Sequence, residues 1–227
     1  MKIAEIFYSI QGEGSLVGVP SVFVRSSGCN LRCVWCDTPY TSWNPEGANM
    51  TVPEIAAQVL SFGARHVVVT GGEPMIAPEI IALTENLKSA SLHITVETAG
   101  TVYTPVRCDL MSVSPKLSNS TPLLRDGGRW AAQHDRLRHQ SDVLRQLALN
   151  YRHQFKFVLA QPSDLSEVQA MVAELALSPE CVILMPEGVN RDVLQSRGLW
   201  LVDICKQFGY RFSPRLHVDL WGDKRGV

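Results

Sequence analysis

Long apolar runs are missing from this chain: none approaches the roughly 18 to 20 residues that a membrane-spanning helix needs. The opening MKIAEIFYSIQGEG has no basic stretch followed by an extended apolar one, so it does not read as a secretory leader. A soluble, cytoplasmic protein with no membrane contact is expected. An excess of either charge is missing too. The 21 Lys and Arg nearly cancel the 22 Asp and Glu, for a formal net charge of -1, which provides no field for gripping nucleic-acid phosphates. A small-molecule substrate is the better expectation. Repeats, low-complexity tracts and blocks of like charge are absent, which excludes extended disorder. Cysteine is sparse, at six residues, yet Cys29, Cys33 and Cys36 fall within eight positions. In a reducing compartment such a group points to metal ligation or redox chemistry rather than disulfides. Cys108, Cys181 and Cys205 stand singly among apolar neighbours and read as small buried hydrophobes.

With 227 residues the chain can build one sizeable core, and a single domain over 1–227 is expected. Six short β-branched runs stand out: SVFVR (21–25), HVVVT (66–70), LHITVE (92–97), DLMSV (109–113), FKFVLA (155–160) and CVILM (181–185). Segments of helical periodicity separate most of them. TVPE starts one with a capping-box spacing of Thr51 and Glu54. Leu165, Val168, Val172 and Leu175 form one face of another. The basic stretch 129–150 reads as a helix with a solvated face. Strands alternating with helices imply parallel pairing under a helical cover. The expected fold is therefore α/β: a partial (β/α) barrel of about six parallel strands with helices outside. The runs end in SSGCNLRC, TGGEP, ETAG, SPK, AQPSD and MPEG, and parallel pairing puts all six ends on one rim, where such barrels assemble their chemistry.

The C-x3-C-x2-C spacing offers three thiolates and no evident fourth ligand. Structural zinc takes four ligands, usually as two pairs, and none of the six histidines stands beside the loop or in a paired spacing. Thiolates equally suit an iron–sulfur cluster. Directly after a strand, TGGEP adds two glycines that let a ligand approach the backbone, with Glu73 as an acceptor for an ammonium group.

This pair of motifs resembles the signature of the radical S-adenosylmethionine superfamily, in which three cysteines hold a 4Fe-4S cluster and the open iron chelates S-adenosylmethionine. SIQGEG (9–14), GVPSVFVR (18–25), CDT (36–38), ETAGT (97–101) and SPK (114–116) narrow the resemblance to the 7-carboxy-7-deazaguanine synthases. The resemblance implies an abbreviated radical S-adenosylmethionine core and a carbon–nitrogen lyase of queuosine and 7-deazapurine biosynthesis. The implied reaction is ring contraction of 6-carboxy-5,6,7,8-tetrahydropterin to 7-carboxy-7-deazaguanine with release of ammonia. It further implies Mg2+ as a cofactor, a homodimer, and a flavodoxin or ferredoxin as electron donor.

Carried over by position, the resemblance gives Cys29, Cys33 and Cys36 to the cluster and Thr38 to Mg2+. Trp35, Cys36, Asp37, Gly72, Glu73, Ser114, Pro115, Lys116, Met185, Pro186, Glu187 and Gly188 go to S-adenosylmethionine. Ile10, Gln11, Gly12, Arg25 and Thr70 go to the substrate. No side chain is implied as catalytic beyond these groups. An arginine beside a Gly-rich polar loop suits a flat heterocycle that bears a carboxylate. The sequence departs from the family pattern in two places. MPEG stands where many relatives have a Gln-Pro pair, and the end HVDLWGDKRGV replaces a segment finishing in Pro whose terminal carboxylate reaches into the substrate site, so the resemblance gives that substrate-binding role to Val227. Two other readings share parts of the pattern: a glycyl-radical enzyme activase, and a non-catalytic metal or electron-transfer module.

Overall fold

The computed structural model describes all 227 residues. In chain order the strands are β1 (Lys2–Ile10), β2 (Pro20–Ser26), β3 (Ala48–Asn49), β4 (His66–Gly71), β5 (His93–Thr98), β6 (Leu110–Val113), β7 (His153–Leu159), β8 (Val182–Pro186) and β9 (Arg211–Phe212). The helices are α1 (Pro39–Ser42), α2 (Val52–Ser61), α3 (Ile80–Ser89), α4 (Ala131–Arg138), α5 (Ser141–Asn150), α6 (Leu165–Glu174), α7 (Arg191–Phe208) and α8 (Leu216–Trp221). The six apolar runs are β2, β4, β5, β6, β7 and β8, paired in parallel in that order. They lie inside one nine-stranded sheet of order β3-β1-β2-β4-β5-β6-β7-β8-β9. Its two ends do not pair, so the barrel is partial.

Three strands extend the expected six. β1 runs antiparallel to β2, and β3 antiparallel to β1. β1 leaves no clean alternation in the sequence because only Ile3 is buried along it; β3 and β9 are two residues long, too short for any period to show. The basic stretch is also not one helix. It breaks between α4 and α5 at His139 and Gln140, where the backbone turns extended.

Period-two geometry sorts every central strand into two faces. Val22, Val24, Val67, Val69, Ile94, Val96, Met111, Val113, Phe155, Phe157, Val182 and Leu184 point outward into the main core beneath the helices. Their neighbours Arg25, Thr70, Glu97, Ser112, Lys156 and Met185, one per strand, point inward to a common cavity. A slip of one residue in any strand would exchange the two sets, so burial of the apolar face fixes the register of the polar one. Of the isolated cysteines, Cys205 is buried in this core, whereas Cys108 and Cys181 are only half-buried.

α2 shows how locally this frame is specified. Thr51 Oγ1 accepts from the Glu54 amide at 3.4 Å, and the Thr51 amide donates to Glu54 Oε2 at 2.7 Å. Both bonds are exposed and make no tertiary contact. Thr51→Ala is therefore expected to lower the unfolding free energy by about 1 kcal/mol, read as a shifted urea midpoint at unchanged slope.

Candidate active site

Five of the six strand ends open on one cavity of about 770 Å3. The sixth, AQPSD, does not reach it: Asp164 turns back to accept from the amides of Ala160 and Gln161 and from Asn119 Nδ2, at 2.8, 3.1 and 2.8 Å. Every residue expected on sequence grounds lines the cavity except Glu73, Pro115 and Pro186. Glu73 departs from the expected ammonium acceptor for a clear reason. Its carboxylate is buried and already accepts from Thr98 Oγ1 at 2.7 Å and from the Ala99 and Met75 amides at 2.8 and 3.1 Å. Burial outweighs these donors and pushes its carboxyl above the ordinary range. Glu73 thus ties the turn after β4 to the end of β5.

The cysteine loop follows β2 and is clamped from several sides. The Glu73 amide donates to the Gly28 carbonyl at 2.9 Å, and a Cβ on Gly72 would lie 2.1 Å from that same carbonyl oxygen; only glycine lets the two motifs meet. Trp43 Nε1 donates to the Cys33 carbonyl at 3.0 Å and Trp35 Nε1 to the Asn119 carbonyl at 3.1 Å. From α4, buried His134 accepts the Arg32 amide on Nδ1 at 3.0 Å, and its Nε2 meets Ser120 Oγ at 2.9 Å. Accepting on Nδ1 fixes the neutral Nε2–H tautomer. Burial, with Arg138 nearby, lowers the His134 pKa to about 4.

The three thiols suit a cluster better than either a single ion or a free nucleophile. Burial pushes Cys29 and Cys33 up to about 12, and the Glu73 charge adds to the shift at Cys29. Such thiols are inert unless a metal displaces their protons. No three His, Cys, Asp or Glu side chains converge on one ion-sized centre, as tetrahedral zinc would require. Polar groups nevertheless meet the sulfurs: the Leu31 amide donates to Cys29 Sγ at 3.4 Å, and Ser42 Oγ lies within hydrogen-bond distance of Cys36 Sγ at 3.2 Å. Lys116 hydrogen-bonds back to Ser114 at 2.9 Å and sits 6.0 Å from the centre of the Trp35 ring, a cation available to a carboxylate in the cavity. Glu187 lines the cavity, but Arg197 pairs with its carboxylate.

Beside the cysteine loop lies a knot of largely buried charge. Glu13 pairs with Lys156 on β7 and, at 3.0 Å, with Arg215 at the start of α8; Arg215 also pairs with Asp37. Burial opposes ionisation of Glu13, but the two cations outweigh it and hold the carboxyl well below its ordinary range. The Lys156 ammonium is likewise opposed by burial and raised by Glu13. Beside the knot, Glu97 accepts from Gln11 Nε2 at 3.2 Å and from Thr70 Oγ1 at 2.9 Å. Arg25 Nε donates to Glu5 Oε1 at 2.7 Å, which also accepts from Tyr40 at 2.8 Å.

Sequence reasoning assigns no role to Glu13, Glu97, Lys156, Arg215 or His134. Glu13 and Glu97 lie inside quoted motifs, and Lys156 interrupts an apolar strand, which is a legible sign of an inward cation. Arg215 and His134 carry no local signal; His134 sits in the stretch that reads as a solvated face.

Two outcomes follow from this geometry. Glu13→Gln leaves buried Lys156 without its ion pair and Arg215 with Asp37 alone, and is expected to cost about 3 kcal/mol in unfolding free energy, measured by urea denaturation. His134→Ala leaves the Arg32 amide and Ser120 without their buried partner, a loss of about 2 kcal/mol at pH 7.5. The folded pKa of His134 lies below the unfolded value near 6.5, so its contribution is complete above about pH 6.5 and fades as pH falls toward about 4. The gap between wild type and His134→Ala should narrow over that window; a constant gap would mean the ring does not hold the loop in its neutral form.

Residues 23–115 match the radical SAM superfamily. The chain is 46% identical to the 7-carboxy-7-deazaguanine synthase of Halobacterium salinarum over 98% of its length and 91% of that protein. It is 44% identical to the one from Rhodopirellula baltica over 100% of its length and 89% of that protein. Among solved structures, QueE from Escherichia coli superposes with a TM-score of 0.69 at 26% identity, covering 95% of this chain and 94% of that one. A cavity that gathers the three-cysteine loop, the glycine turn and the polar strand ends, together with these full-length identities, places the chain in the 7-carboxy-7-deazaguanine synthase family of radical SAM enzymes.

Proposed function

We propose that the chain converts 6-carboxy-5,6,7,8-tetrahydropterin into 7-carboxy-7-deazaguanine with release of ammonia, in this cavity. The observation that carries this reading is that the cysteine loop and the candidate pterin contacts Gln11, Arg25 and Thr70 face one cavity of about 770 Å3. Cys29, Cys33 and Cys36 would hold a 4Fe-4S cluster, with S-adenosylmethionine along Gly72, Ser114, Lys116, Met185, Glu187 and Gly188. When bound, these two cofactors supply one-electron chemistry that abstracts hydrogen from carbon. The chain's own residues bind, orient and shield.

Arg25 meets the substrate carboxylate with its planar fork. Gln11, Thr70 and Glu97 form a linked set of donors and acceptors for the pterin's polar edge. Thr38 would offer one hydroxyl oxygen to Mg2+, which would supply charge stabilisation for a substrate carboxylate. The assembly proposed is a homodimer. The electron donor is a flavodoxin or ferredoxin, and charge favours an acidic carrier at the loop's outer side, where Arg125 lies 4.0 Å over the Trp43 ring and donates to the Val34 carbonyl.

An anaerobic incubation of cluster-reconstituted protein with reductant, S-adenosylmethionine, Mg2+ and the pterin, followed by mass spectrometry, tests the reading. The expected outcome is 7-carboxy-7-deazaguanine from wild type and none from Cys33→Ala. Cleaved S-adenosylmethionine beside intact pterin would overturn the substrate and leave the cofactors standing.

A further inference from the structure

Residues 222–227 form a strap across the cavity mouth. They leave α8 through Gly222, whose φ of 70° and ψ of -156° turn the chain where an L side chain would be strained. All six residues then line the cavity. One side chain pins them there. Arg225 donates from Nε to Glu5 Oε2 at 3.0 Å, from Nη1 to Glu46 Oε2 at 3.1 Å and from Nη2 to the Ala4 carbonyl at 3.4 Å. Its guanidinium carbon lies 3.8 Å from the centre of the Tyr40 ring. Four groups from β1, α1 and the loop before β3 thus converge on a single cation.

Glu5 is the shared member. Oε2 receives Arg225, while Oε1 receives Arg25 at 2.7 Å and the Tyr40 hydroxyl at 2.8 Å. The Glu5 and Arg25 side chains are only 14% and 18% exposed, so solvent does not fully screen their competition.

We propose that Arg225 is a positioning residue that closes 222–227 over the bound substrate, and that Glu5, shared with Arg25, couples that closure to the substrate's carboxylate. This rests on the reading of Arg25 as the carboxylate's partner. An arriving carboxylate takes the Arg25 fork and weakens its hold on Glu5. Glu5 is then freer for Arg225, and the strap tightens. Linkage makes the effect reciprocal: a strap pinned through Glu5 leaves Arg25 freer for substrate, by the same factor.

The test uses cluster-reconstituted protein with S-adenosylmethionine and Mg2+. It is titrated with 6-carboxypterin, an oxidised analogue that fluoresces and has no hydrogen on C6. Trypsin cleavage after Lys224 and Arg225 is followed by mass spectrometry with and without the analogue. In wild type the analogue should slow cleavage about five- to tenfold, at the low end of the usual range of coupling between sites. Arg225→Ala should weaken analogue binding by a similar factor, with Arg225→Lys in between. Glu46→Gln, which leaves the strap's sequence intact, should speed cleavage. In turnover, Arg225→Ala should raise KM with kcat little changed.

If the analogue does not slow cleavage, or if Arg225→Ala binds it as wild type does while Arg25→Lys binds it weakly, the strap coupling is wrong and the substrate reading survives. If wild type does not bind the analogue, both fall.

Discussion

The largely buried carboxylate of Glu13 is the joint on which the site depends. It joins residues far apart in sequence: itself in the loop after β1, Lys156 in the middle of β7, and Arg215 at the start of α8. Through Arg215 the network reaches Asp37 beside the cysteine loop and the Gly188 carbonyl after β8. An ion pair taken out of water rarely stabilises a fold by itself, because desolvation consumes most of the attraction. What this network provides is specification. Two cations and a carboxylate inside an inward-facing layer tolerate few arrangements, so the strand ends are held in one relative position. The open barrel has no closing strand pair to do that work.

The cysteine loop shows the same economy from another direction. It has no regular structure of its own, and its backbone groups are satisfied from outside: Trp43 on the Cys33 carbonyl, the Ser120 carbonyl on the Val34 amide at 2.8 Å, and His134 on the Arg32 amide. A neutral imidazole is the right partner for that amide. It accepts without bringing a charge near sulfurs whose burial already disfavours ionisation, and its second nitrogen is free to satisfy Ser120. The loop is thereby shaped from the α4 side while its thiols face the cavity.

Much of this was legible in the sequence, for reasons that particular residues make plain. Val22, Val67, Ile94 and Phe155 announce the central strands because outward burial needs apolar β-branched or aromatic residues in a short run. The cysteine spacing and TGGEP are legible because ligand chemistry restricts residue type at fixed offsets. β1 was hidden because its inner face lines a polar cavity and its outer face is half-exposed, which leaves no alternation to read. His134 was hidden for a different reason: its partner lies about a hundred residues away, and no local pattern records such a pairing. AQPSD misled because a polar Pro-containing turn after a strand looks the same whether it faces a cavity or, like Asp164, caps its own backbone.

The cavity's polar groups also say how a substrate must be accommodated. Arg25 is met by Glu5, Gln11 and Thr70 by Glu97, and Lys156 and Arg215 by Glu13. A ligand therefore gains little merely by offering a hydrogen bond; it must offer a better partner than the internal one. A carboxylate can do this at Arg25, where a two-pronged pair exceeds the single Nε bond to Glu5. At Glu97 the exchange runs the other way, since two adjacent N–H groups on a flat heterocycle can meet the carboxylate with a two-pronged pair in place of two separate neutral donors. Lys156 and Arg215 are poor candidates for exchange, because freeing either would leave Glu13 buried beside one cation instead of two. The same inward-facing layer thus divides into pairs that can open for substrate and a knot that cannot, and the division follows from burial and charge count at each strand position.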